Sequence, residues 1–210
     1  MNLNQSARRR RLAFAAASLA GATAASVITL GLTSAGAATS AASHPNARTF
    51  SFALKPSAGI PACIKHASGR VTIITGSQND TMRVSVRGLP HNTGFDLFVI
   101  QLPTKPFGVA WYQTDIQTNR FGHGTAIVKG IFDRETFSVS VGGTTKFAPT
   151  HQFHLGLWFN NPRTPFRLGC EPGATAPIVT PFNGEQHAGI QVLNTAQFPV
   201  NAGPLSHVHR

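Results

Sequence analysis

Past residue 48 the chain reads as short runs in which apolar and polar positions alternate, broken by Gly, Pro and Asn. RTFSFAL sets Phe50, Phe52 and Leu54 against Thr49, Ser51 and Ala53. TMRVSVRGLP sets Met82, Val84 and Val86 against Arg83, Ser85 and Arg87. A period of two with one apolar side predicts a strand with one buried and one wet face. RVTIITG is β-branched throughout, and FDLFVIQL is apolar on both faces, as a central strand would be. GVAWYQTDIQ, GTAIVKG, TFSVSV, FHLGLWFN and AGIQVLNT complete nine predicted strands. Turn residues separate them: GLPHNTG at 88–94, two prolines within 103–108, NRFGHG at 119–124, and Gly142-Gly143. No helical period is visible beyond the N-terminal segment. The pattern predicts an all-β fold, an antiparallel β-sandwich of immunoglobulin-like or jelly-roll type, as one domain over 49–210. The Pro- and Gly-rich stretch 161–183 reads as a long surface loop.

HLGLWFN carries a question of its own. Leu155, Leu157 and Phe159 make an ordinary core face. His154, Gly156 and Trp158 share the opposite face. Trp158 beside a glycine is either a flat platform for a ligand or a ring laid over the glycine in a second packed layer.

The N-terminus changes the picture of where the protein works. Four arginines at 8–11 precede an alanine-rich apolar run over 12–32, and Ala35-Gly36-Ala37 offers a small-x-small cleavage site. This reads as a secretory signal peptide over 1–38, followed by a flexible Ala/Ser leader over 39–48. An uncleaved membrane anchor is the rival reading. The small-residue exit favours cleavage, which leaves no transmembrane anchor. Export makes a Cys63–Cys170 disulfide the default for the two cysteines, with loop-closure models giving up to roughly 5 kcal/mol of stabilisation.

Charge adds a partner class. The chain has 18 Lys+Arg and 7 Asp+Glu; without the arginines at 8–11 the balance is 14 against 7, or +7. The cations are scattered singly, with no basic run or nucleic-acid signature, so no nucleic-acid partner is expected. Anionic cell-wall polymers or polysaccharides fit that sign by long-range attraction. Solubility alone would also explain it. The sequence fixes no oligomeric state.

VRGLPHNTGFDLFVIQLPTKPFGVAWYQTDIQTNRFGHGTAIVKGIF, with HLGLWFN and TPFNGEQHAGIQVLNT, resembles a group of small secreted actinobacterial proteins, over about residues 71–204. The resemblance implies export from a high-GC Gram-positive cell and no mechanism. The GLP-x-N-T pattern also looks like the strand–turn–strand of extracellular β-sandwich modules, a likeness of fold alone.

Three kinds of chemistry are candidates. For metal binding the chain has 9 His, yet three or four converging ligands are not visible at a recognised spacing. His151-x-x-His154 would point to opposite faces of a strand, and His207-x-His209 sits at the C-terminus. A cross-strand site would need His154 with His187 or His123. For carboxylate hydrolysis Asp96 and Asp115 are the pair to watch, since Asp96 falls within an apolar run. Asp96 could equally accept hydrogen bonds from a turn or pair with Arg83 or Arg87. No serine-hydrolase elbow or phosphate-binding glycine loop is present. For polymer binding the candidates are Trp158, Trp111 and Tyr112. The expectation is a secreted binding or structural module of the cell envelope, with no enzymatic activity, metal or cofactor. Its alternatives are sugar binding through an exposed Trp and hydrolysis by the carboxylates.

Overall fold

The computed structural model describes residues 48–132, 138–141, 144–147, 153–181 and 188–208. The predicted signal peptide and the leader up to residue 47 lie outside these, as do Asp133, Glu135, Gly142, Gly143, His151, Glu185, His187 and His209. The described chain is almost entirely antiparallel β-structure, as its alternation predicts. Its strands are β1 (Thr49–Pro56), β2 (Ser68–Ile74), β3 (Asp80–Arg87), β4 (Gly94–Ile100), β5 (Ala110–Gln117), β6 (Gly124–Gly130), β7 (Ser138–Val141), β8 (Thr144–Phe147), β9 (His154–Phe159) and β10 (Gln191–Asn194). All nine predicted strands are present. β8 is the addition: TTKF has a single large apolar residue and no alternation to read. β7 and β8 pair only with each other.

The other eight strands form one ladder in the order β5-β4-β9-β10-β1-β2-β3-β6. This corrects the expectation of two separate sheets. The reason is β1: its residues 49–54 pair with β2, while Lys55 and Pro56 pair with Asn194 and Leu193 of β10. One strand thus joins both halves, and the sheet curls until its ends, β5 and β6, lie side by side at a hairpin turn. In that turn Asn119 Oδ1 accepts the amides of Phe121 and His123. Gly122 takes a φ of 73°, with Leu89 O so close that a Cβ would collide with it.

The two halves share one core. Phe52, Leu54, Val71, Ile73, Met82, Val84 and Val86 meet Phe95, Leu97, Val99, Leu155, Leu157, Phe159 and Leu193. These are the apolar sets that the alternation marked. Among the described residues two short α-helices interrupt the β pattern, α1 (Ile60–Cys63) and α2 (Arg163–Arg167), neither expected from the sequence. Both are too short to show a helical period. They carry or precede the cysteines of the disulfide, whose Cα atoms are 5.1 Å apart, and the bond closes a span of 107 residues. The stretch 161–183 is therefore helical at its start and tied to α1. Among the described residues no helix is long and apolar enough to cross a membrane.

Candidate functional site

The second face of β9 is a packed layer. Trp158 is fully buried (0 % exposed). Its ring lies over Gly156, where an added Cβ would come within 2.3 Å of Trp158 Cζ3 and 2.8 Å of Gln191 Nε2. Phe98 of β4 and Phe107 of the following loop meet the indole edge-on at 5.5 and 5.0 Å. With Ile100 and Ala188 these residues form a second, smaller apolar cluster outside the main core. Loop 101–109 is folded to cap it. Gln101 N donates to Val109 O, Leu102 N to Phe107 O, and Gln191 Nε2 to Pro103 O. Phe107 takes a left-handed φ of 63°, which costs a bulky residue roughly 1–2 kcal/mol and is offset by burial of its ring. Trp158 is therefore no binding platform. Trp111 is half-buried against the core, edge-on to Phe153 at 5.8 Å. Tyr112 is exposed (51 %), but its hydroxyl donates to Asp115 Oδ1 at 2.9 Å and Phe98 meets its ring edge-on.

Asp96 and Asp115 are brought together: they are direct cross-strand partners on β4 and β5, and Trp158 flanks Asp96 on β9. Asp96 is buried and accepts from Asn160 Nδ2 at 2.8 Å. Its partner is thus Asn160 rather than Arg83 or Arg87, which lie on the other half of the sheet. His154, a candidate metal ligand, does not reach the pair. His154 stands opposite Ile100, two rungs beyond the Gly156–Phe98 pair. Its Nε2–H donates to Val200 O at 3.2 Å, leaving Nδ1 to accept from the Thr195 hydroxyl at 3.0 Å. Burial holds its pKa below the ordinary histidine value, which suits this neutral form. With both ring nitrogens occupied, His154 has no lone pair to offer a metal. Among the described residues no three His, Cys, Asp or Glu side chains gather as a metal site.

A concave basic surface lies on the opposite half, where the candidates from the sequence were His123 as a metal ligand and Arg83 and Arg87 as partners of Asp96. The outward positions of β1, β2, β3 and β6 carry Lys55, Arg70, Arg83, Arg87 and Lys129, with Thr49, Ser51, Ser68, Thr72, Thr81, Ser85 and Thr125 and the apolar Ala53, Ile74 and Ile127 between them, and no Asp or Glu. Of the described carboxylates only Asp115, on β5, is exposed; Asp80, Asp96 and Glu171 are buried. Asp80 is occupied by the amides of Gly76 and Phe132.

A groove of about 560 Å³ crosses this face at right angles to the strands. Its floor is the backbone of one inward-facing row, Leu54, Gly69, Val86 and Gly124, which are successive register partners. One wall is Lys55, Ser68, Arg87 and His123; the other is Ala53, Arg70, Ser85 and Thr125. Arg87 Nε donates to Ser68 Oγ at 3.1 Å, which holds the guanidinium along its wall. The arrangement offers positive charge and hydroxyl groups and, among the described residues, no carboxylate in its walls. It is suited to anions.

A second groove of about 570 Å³ runs past Phe50, Phe52, Phe198 and His207. Those rings contact one another, Phe52 with Phe198 at 6.0 Å and Phe50 with His207 at 5.9 Å, and close that end of the core.

The basic face could have been found in the sequence. The polar half of TMRVSVRGLP and its neighbours already held the cations, but only the register shows that they lie side by side. In comparisons with known proteins, no family profile matches the chain and no curated protein matches it.

Proposed function

We propose that the protein is a non-catalytic extracellular binding module that holds an anionic polymer of the cell envelope in the groove between the Lys55–Arg87 and Arg70 walls. The observation that carries this reading is the acid-free outer face of β1, β2, β3 and β6, with three cations around a concave groove. Uncompensated guanidinium groups pair with phosphate or carboxylate through parallel N–H···O bonds, and neighbouring hydroxyls add neutral ones. The volume lies within the range of small-ligand sites. The disulfide fits an oxidising compartment. A non-catalytic role is favoured because Asp96 is engaged in structural hydrogen bonding and the groove itself holds no carboxylate.

The test is retention of the purified protein on isolated Gram-positive cell wall at low and moderate salt, with Arg70→Gln/Arg87→Gln and Arg163→Gln/Arg167→Gln as charge-matched variants. The reading predicts that the first double variant loses retention at moderate salt while the second keeps it. Equal losses in both would mean that net charge alone causes adhesion, and the groove reading would fail.

A further inference from the structure

Resting on that reading, and going beyond the groove, the register assigns a direction and a chemistry to the ligand. Five outward cations lie on the four strands, two of them on β3, and four of the five, one from each strand, are each displaced by two residues from the one before. Arg70 on β2 pairs with Ala53, two residues before Lys55 on β1. Arg70 also pairs with Ser85, two residues after Arg83 on β3. Arg83 pairs with Ile127, two residues before Lys129 on β6. Because the strands alternate in direction, these offsets all run the same way across the sheet. Lys55, Arg70, Arg83 and Lys129 therefore follow one diagonal of the register, which crosses the groove between Lys55 and Arg70, with Arg87 beside its first step. With strands about 4.8 Å apart and two residues rising about 6.7 Å, the backbone positions that carry neighbouring cations are about 8 Å apart. The whole line is about 25 Å long. Ser85 lies beside Arg70 in its rung and Thr72 beside Arg83.

We propose that this diagonal is a linear track for one extended phosphodiester-linked polyol chain, one phosphate to each cation. Two observations select that chemistry. The outward positions of the four strands hold no Phe, Tyr or Trp. Sugar rings and nucleobases would thus find nothing to stack on. A ring-free chain needs only charge and hydrogen bonds, which these positions supply. Spacing agrees: the six bonds of a P–O–C–C–C–O–P unit, extended as a polypeptide is, span about 7 Å. That is close to the step between cations.

The test is a calorimetric titration of the purified protein with synthetic glycerol-phosphate oligomers of two and of six phosphates. Wild-type protein is expected to bind the six-phosphate chain about tenfold more tightly than the two-phosphate chain, as two more modest surface ion pairs would give. Arg83→Gln/Lys129→Gln is expected to abolish that gain and leave the short chain's affinity unchanged. Arg70→Gln/Arg87→Gln should weaken both. Equal affinity for the two lengths, or a gain that survives Arg83→Gln/Lys129→Gln, overturns the track and leaves the groove reading standing. Oligothymidylate or oligogalacturonate of equal charge binding as tightly overturns the polyol assignment. Absence of binding to every probe removes the groove reading as well as the track.

Discussion

At the residue scale Trp158 and Gly156 act as one unit. The ring occupies the space that a glycine alone leaves open, and Phe98 and Phe107 close the layer around it. Truncating Trp158 to Ala should destabilise the protein by about 3–5 kcal/mol through loss of buried area and the cavity left behind. Gly156→Ala should cost about 1–3 kcal/mol, because the added methyl overlaps the indole. Denaturant titration measures both. At a temperature where the variants remain folded, neither should alter polymer binding. His154 adds a pH dependence. Its folded pKa is lowered, chiefly by burial, so the unfolded chain takes up the proton first as pH falls. The stability it contributes is complete above its ordinary value of 6.5 and declines as pH drops below that towards the folded pKa. His154→Gln should lessen the fall in denaturation midpoint between pH 7.5 and pH 5 relative to wild type.

At the scale of elements, the strands were legible because their periodicity is strict. Met82, Val84 and Val86 point to the core, and Arg83, Ser85 and Arg87 point to solvent, as the alternation requires. FDLFVIQL, apolar on both faces, became β4, covered on one side by the core and on the other by the Trp158 layer. That second cover was not legible, because it comes from a loop: Phe107 reaches the indole only through a left-handed turn that no alternation encodes. The groove was missed for a related reason. Lys55, Arg70 and Arg87 are far apart along the chain, and antiparallel pairing alone makes them neighbours. The disulfide was legible by cysteine count, and it ties α1 to the segment following α2. Cys63→Ser/Cys170→Ser should lower stability by about 2–5 kcal/mol, seen as a lower denaturant midpoint, and leave the groove's affinity intact in the folded protein.

For the whole molecule, the curled sheet divides two tasks between its halves. The half built on β4, β9 and β10 is buried on both sides and supplies rigidity. The half built on β1, β2, β3 and β6 is buried on one side and displays its charges on the other. The sheet fixes the backbone positions of these cations, and ordering each exposed Lys or Arg side chain on binding costs about 0.5–1.5 kcal/mol. Because the cations are exposed, replacing Arg70 and Arg87 with Gln should change stability by less than about 0.5 kcal/mol. Loss of binding in that variant would then report on recognition. The most direct measurement is an amide chemical-shift titration of the isotopically labelled protein with a glycerol-phosphate oligomer. The account predicts shifts concentrated at Ala53, Lys55, Gly69, Arg70, Ser85 and Thr125 and, for an oligomer long enough to fill the track, at Arg83 and Lys129, with those of Phe98, Gly156 and Trp158 unmoved. Shifts centred on the Asp96–Asp115 rung or the Trp158 layer, or none at all, would contradict it.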